Sequence, residues 1–137
     1  MIVLDTSVAV AFMNRLDDEH ERVVPWMEAV GEDLFTTPLI VAEIDHLVSR
    51  GGGPDAASAF YEDLESGAYV VEWWPEAMAE TVNAARRHPD IGLADASLLA
   101  LAARLGTVRV ATLDERHFRA VRPLTAEAAF VLLPTDV

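Results

Sequence analysis

Ile2-Val-Leu-Asp5-Thr-Ser7 is the stretch on which the fold turns. Three consecutive apolar residues leave no polar face, the pattern of a short strand buried on both sides in a parallel sheet. Asp5-Thr-Ser then offers N-cap chemistry, so Val8–Asn14 is expected to continue as a helix. A strand that feeds a helix through one acid is the opening of a βα unit.

The same alternation runs outward along the chain. Asp17–Val30 reads as a helix with an acidic exposed face, and Leu34–Thr36 as a second strand. Pro38 stands where a first helical residue belongs, ahead of a helix over Leu39–Ser49. Gly51-Gly-Gly-Pro54 breaks that helix from the next, Asp55–Ser66, which Gly67 ends. Tyr69–Trp73 is a strand candidate, and Pro75–His88 a helix stopped before Pro89. Leu93–Leu105 is an Ala/Leu-rich helix closed by Gly106. Val108–Thr112 and Ala129–Leu133 read as strands, with a short turn or helix at Glu115–Arg119. The expectation is one α/β domain over residues 1–137, an α/β/α sandwich around a mostly parallel sheet of four to five strands.

Composition narrows the chemistry. An apolar fraction of 52% with 24% charged residues belongs to a globular chain. Without cysteine there are no disulfides, thiolate zinc sites or cysteine nucleophiles. The N-terminus lacks the features of a signal peptide and no apolar run could span a bilayer, so a cytoplasmic location without membrane contact is expected. All ten basic residues are arginine, and the absence of lysine excludes P-loop, Schiff-base and receiver chemistry. A net charge of −13 argues against a general nucleic-acid binder, unless acids devoted to cations present a local positive centre.

Four acids suit that role. Asp5 and Asp114 each follow a predicted strand, and ligands of open α/β sheets collect at strand carboxyl ends. Taken singly, Asp5 is equally a helix cap and Asp114 a turn residue. Glu43 and Asp95 interrupt very apolar helices. On a wheel of about 100° per residue, the apolar centre of this helix falls near Leu47 and Ile40, with Glu43 roughly 60° from it and Asp45 roughly 140° away. Glu43 is therefore expected on the buried margin and Asp45 toward solvent. A carboxylate so placed must be paired, protonated or metal-bound. A buried arginine partner would serve one acid; it would not serve four. Oxygen ligands of this kind select Mg²⁺ or Mn²⁺. Thr6, Ser7 and Thr112 stand beside two of the acids and could add hydroxyl contacts, or serve as caps and strand formers.

With these residues in view, the sequence resembles the PIN-domain family and, within it, the VapC toxins of toxin–antitoxin pairs. The likeness is carried by Ile2-Val-Leu-Asp-Thr-Ser-Val8, Pro38-Leu-Ile-Val-Ala-Glu-Ile44, Ile91-Gly-Leu-Ala-Asp-Ala-Ser97 and Ala111-Thr-Leu-Asp-Glu-Arg-His-Phe118. Each segment alone is weak; four in this order and spacing are specific. The resemblance implies a PIN-like fold in which Asp5, Glu43, Asp95 and Asp114 are the metal-binding and catalytic acids. It also implies an Mg²⁺- or Mn²⁺-dependent endoribonuclease acting on tRNA or ribosomal RNA, a homodimer, and a VapB-like antitoxin partner. The sequence departs from many relatives at His117, where an acid is common. Asp90 reads as a helix cap or a peripheral acid.

Two rival classes remain in view. One is a catalytically inactive PIN-fold protein-binding module; the four intact acids speak against it. The other is a phosphotransfer enzyme with Asp5 as nucleophile, which would need an acid at Ser7 and a lysine. His20, His46, His88 and His117 show no pairing along the chain. Arg116 and Arg119, with Arg109, Arg122 and His117, bracket Asp114, while Arg86, Arg87 and His88 precede Asp95. Both groups are candidates for RNA phosphate contacts. Phe12, Trp26, Trp73 and Trp74 are candidate anchors for a partner's apolar helix, or core residues.

Overall fold

In the computed structural model, which describes residues 1–136, five short strands make one sheet. They are β1 (Ile2–Leu4), β2 (Leu34–Thr36), β3 (Val70–Val71), β4 (Arg109–Ala111) and β5 (Val131–Leu133). Their order is β3-β2-β1-β4-β5, and every pairing is parallel. Chain order runs outward from β1 through β2 to β3 on one side and from β4 to β5 on the other. The gap between β1 and β4 is thus the switch point at which α/β sheets open a crevice.

Helices flank the sheet: α1 (Thr6–Met13), α2 (His20–Ala29), α3 (Pro38–Ser66), α4 (Ala77–Arg87), α5 (Leu93–Leu105) and α6 (Glu115–Ala120). α3 contains the expected break. Gly53 sits at φ 72°, ψ −165°, outside helical space, and parts two helical halves. A side chain at φ near 70° would be strained, so the glycine is required there. α1 packs on α2 and α3, and α4 on α5. The core is densest along β1, with Ile2, Val3 and Leu4 fully enclosed, and along α5, buried without interruption from Ala96 to Ala102. Complete burial of Leu98, Leu99 and Leu101 stabilises the fold by about 1.5–3 kcal/mol each.

The structure corrects several expectations. α2 starts at His20, not Asp17, because the Asp17 carboxylate accepts from the Glu19 N–H at 2.9 Å and its carbonyl from the His20 N–H at 3.0 Å. That side-chain turn competes with helix. β3 covers only two of the five residues from Tyr69 to Trp73. Trp74, just past it, turns into the core at 5% exposure, donates from Nε1 to Glu80 at 3.1 Å and carries the Arg104 guanidinium over its ring at 5.0 Å. Trp74 is therefore no partner anchor. Phe12 and Trp26 are half-buried against the core, and only Trp73 is substantially exposed.

Candidate active site

Strand register brings the first two acids together. Leu4 pairs with Ala111, and the Asp5 N–H donates to the Ala111 carbonyl at 2.9 Å, so β1 and β4 end side by side. Asp5 caps α1: Oδ1 accepts the Thr6 N–H at 2.8 Å. Oδ2 accepts the Ser7 hydroxyl at 2.8 Å and the Thr112 hydroxyl at 2.7 Å. Those hydroxyls reach onward. Thr112 Oγ1 accepts the Asp114 N–H at 2.9 Å, and Ser7 Oγ accepts the Leu113 N–H at 2.9 Å. Ser7 and Thr112 thus lock the loop carrying Asp114 to the carboxylate of Asp5. Asp114 in turn caps α6, its Oδ1 accepting the His117 N–H at 3.2 Å.

The helix acids are placed by a second set of hydroxyls that sequence reasoning missed. Thr36 Oγ1 donates to the Leu4 carbonyl at 3.0 Å, and Thr37 caps α3 through Ile40. The Thr37 and Ser97 hydroxyls meet at 2.7 Å in the interior, and Ser97 donates to the Ala94 carbonyl at 2.6 Å. α3, bearing Glu43, and α5, bearing Asp95, are thereby tied near their N-terminal ends. A Thr immediately before Pro38 was the available signal for a cap.

All four acids line one open crevice of about 350 Å³, together with Thr6, Ser7, Leu47, Gly92, Ala94 and His117. Glu43 is exposed and Asp45 half-buried, the reverse of the wheel expectation. The buried stripe of α3 is Ile40, Ile44 and Val48, while Leu47 is 42% exposed and faces the crevice with Glu43. Counting Leu47 as core shifted the predicted centre. Asp45 is instead held by the Tyr61 hydroxyl at 2.7 Å from the second half of α3. Asp90 neither caps α5, whose cap is Gly92, nor lines the crevice.

Electrostatics follow from this crowding. Burial pushes Asp95 up to about 6; the charges of Asp5, Asp114 and Glu43 add to the rise and His117 opposes it. Burial also raises Asp5, against the pull of its bonds from Thr112, Ser7 and Thr6, with the charge of Glu43 adding to the rise. Among the described residues no arginine pairs with any of the four acids; the one basic side chain that reaches any of them is His117, beside Asp95 and Asp114.

The residues fit a divalent cation. Carboxylate donors converge with no arginine among the described residues to pair with them, and ligand atoms of Asp95, Asp114 and His117 lie within 4.8 Å of one another. Thr6 Oγ1 and His117 Nδ1 are buried with no hydrogen-bond partner. Asp5 retains acceptor capacity on Oδ1, which takes a single N–H. Carboxylate donors of this kind suit hard divalent cations.

None of the candidate arginines lines the crevice. Arg109 lies at the opposite end of the sheet, at the start of β4, with both contacts of its Nη1 on Glu32 at 2.6 and 2.7 Å. Arg119 is engaged by Asp136 at 2.5–2.8 Å and by Glu115 at 3.4 Å. Arg86 and Arg87 are exposed at the end of α4, with Arg87 bordering a separate depression beside Ala100 and Ala103. Arg116 is exposed and carries no ion pair among the described residues.

Comparison with known proteins agrees with this architecture. The PIN domain family profile matches residues 2–123. The chain is similar to ribonuclease VapC26 of Mycobacterium tuberculosis, with 35% identity over 97% of this chain and 100% of the relative. Its fold is similar to that of M. tuberculosis VapC20, a sarcin–ricin loop cleaving toxin, at a TM-score of 0.77 and 22% identity over 83% of this chain and 90% of the other. It is also similar to a chain of the DNA-bound FitAB structure (TM-score 0.63, 25% identity, 96% and 94% covered). A chain of Rickettsia felis VapBC2 bound to promoter DNA matches at a TM-score of 0.65 with 15% identity, covering 96% and 97%. With the profile spanning nearly the whole chain and a VapC ribonuclease matched end to end, the chain belongs to the PIN-domain family, among its VapC-type ribonucleases.

Proposed function

We propose that the chain is the toxin of a toxin–antitoxin pair, an endoribonuclease that hydrolyses RNA phosphodiester bonds at the crevice between β1 and β4 with Mg²⁺ or Mn²⁺. The observation that carries this reading is the convergence of Asp5, Glu43, Asp95 and Asp114 on one crevice with no arginine among the described residues paired to them. Asp5, Asp95 and Asp114 would hold the ion, and Glu43 would complete the site. When bound, the ion would activate water and neutralise charge developing on the phosphate.

The chain's own residues do the remainder. Ser7, Thr112 and the Thr6 N–H fix Asp5 in one orientation, so the site meets the substrate without reorganising. Glu43, exposed at the rim, is free to orient the attacking water and accept its proton at a carboxylate oxygen. Water adds to phosphorus, the bond to the 3′-oxygen breaks, and that oxygen takes a proton from solvent, so the products carry 5′-phosphate and 3′-hydroxyl ends.

tRNA and ribosomal RNA, both cytoplasmic, are the proposed substrate class. A sarcin–ricin loop oligonucleotide, the target that VapC20 cleaves, is a suitable first probe beside tRNA. The antitoxin partner is supported by the FitAB and VapBC2 neighbours and by an apolar groove of about 320 Å³ between α1 and α3. Val10, Met13, Val48 and Phe60 line it, and Leu47 is shared with the crevice. A homodimer completes the reading. The test is cleavage of total RNA with Mg²⁺ or Mn²⁺ against EDTA, with mapping of the ends. Cleavage that persists in EDTA, or none with either metal, overturns it.

A further inference from the structure

His117, a position outside the four acids at which this sequence departs from many relatives, stands inside the site. We propose that the imidazole of His117 is a donor to the ion held by Asp95 and Asp114, and that this nitrogen biases the site toward Mn²⁺ over Mg²⁺; the proposal rests on the divalent-metal reading above.

Nδ1 of His117 lies 2.8 Å from Asp114 Oδ2 and 3.6 Å from Asp95 Oδ2. An octahedron with bonds of about 2.1 Å has edges of about 3 Å, so three donors at these separations can share one centre. The direction of the nitrogen matters as much as its distance. Nδ1 is buried, yet it makes no aligned hydrogen bond with either carboxylate. An imidazolium held only as an ion pair would aim its N–H at an oxygen. This nitrogen is close to two carboxylates and aimed at neither, as expected of ligands arranged around a common point.

The placement is built by the fold. The Asp114 cap holds the His117 N–H at 3.2 Å, which sets the first turn of α6. The next residue, Phe118, is 2% exposed and packs edge-on against Phe130 at 6.0 Å between ring centroids. α6 is thus fixed at both contacts, and the ring of His117 has the crevice before it. Mg²⁺ demands oxygen ligands, whereas Mn²⁺ tolerates imidazole, so one nitrogen among carboxylates shifts preference without closing the site to either ion.

Pulsed electron paramagnetic resonance of the Mn²⁺-loaded wild-type protein reads the contact directly, as a ¹⁴N hyperfine coupling. The coupling is expected in the wild type and absent in His117→Ala. Calorimetric titration should show Mn²⁺ affinity falling about tenfold in that variant, with Mg²⁺ affinity within about twofold. His117→Asp should restore Mn²⁺ binding with no nitrogen signal and bind Mg²⁺ more tightly than wild type. Mn²⁺ bound with no ¹⁴N coupling in the wild type, or a coupling that survives His117→Ala, overturns the role of His117 and leaves the metal site standing. Failure of Mn²⁺ to bind at all overturns the metal reading and this inference with it. The wild-type spectrum needs no variant, so misfolding of a variant cannot mask the answer.

Discussion

Thr112 Oγ1 donates to Asp5 Oδ2 at 2.7 Å across 107 positions of chain, and the same oxygen accepts the Asp114 N–H at 2.9 Å. One hydroxyl therefore orients a strand-end carboxylate and the loop that carries a second acid. It does so from a fully buried position one residue past β4.

Thr112→Val keeps the shape and removes both bonds. The Asp5 carboxylate loses its closest donor and the Asp114 N–H its acceptor. A buried group left unpaired costs about 1–3 kcal/mol, so the midpoint of urea unfolding should fall accordingly. RNA cleavage should fall by about 10–100-fold, the usual effect of losing a residue that orients a metal ligand. Activity equal to wild type in a correctly folded Thr112→Val would show that the orientation of Asp5 is set elsewhere.

The pH dependence of the metal-free protein has a definite sign. Asp95 is pushed up to about 6, mainly by burial. Between its ordinary value near 4 and that figure, the folded state holds a proton that the unfolded state has released. Stability is therefore lost as pH rises through this window. Asp95→Asn removes this contribution. In EDTA its melting temperature should exceed that of wild type above pH 6 and converge with it below pH 4. Asp5, which is also raised by burial, adds a slope of the same sign in both proteins. The same variant should cleave no RNA. Thermal melts across pH 3.5–8 check the first claim; equal melting curves at pH 7.5 would refute it.

Much of this was legible because punctuation residues mark the elements. Pro38 at the start of α3, Gly67 after it and Gly106 after α5 fix boundaries where their backbone chemistry allows no alternative. Leu34–Thr36 and Leu93–Leu105 match the observed elements residue for residue. The acids were legible as charges out of place. The side on which Glu43 lies was not, because a helix wheel treats every leucine as core and Leu47 lines a crevice. Arg109 is a related case. Nearness in sequence to Asp114 says nothing about strand direction, and β4 carries Arg109 to the far end of the sheet. Thr37 and Ser97 meet 60 positions apart, a pairing that only the fold reveals.

That pairing is testable by a double-mutant cycle. Thr37→Val removes the cap of α3 and the bond to Ser97, and should cost about 1–2 kcal/mol. Ser97→Ala should cost less, because Thr37 keeps its capping contact with Ile40. The combined variant should be less destabilised than the sum of the two, with a coupling of about 0.5 kcal/mol or more. Urea unfolding of the four proteins gives the number. Metal affinity should weaken in both single variants, since each loosens the tie between the helices bearing Glu43 and Asp95. Strict additivity would mean that the two hydroxyls act independently.

RNA must reach an acidic protein through local positive charge. Arg116 and Arg119 stand on the same short helix, yet their situations differ. Arg119 is held by Asp136, whose carboxylate also accepts the Leu132 N–H at 2.7 Å, so it braces β5 against α6. Arg116 is exposed beside His117, which lines the crevice. Arg116→Ala should therefore weaken RNA binding and reduce the slope of log affinity against log salt by about 0.7–1, the value of one phosphate contact. Arg119→Ala should leave that slope unchanged and lower the melting temperature instead. Binding is best measured by fluorescence anisotropy with a labelled tRNA and Asp95→Asn as the background, so that the RNA is not cut. If the slope changes in Arg119→Ala and not in Arg116→Ala, the RNA displaces the Asp136 pair and passes over the other end of α6.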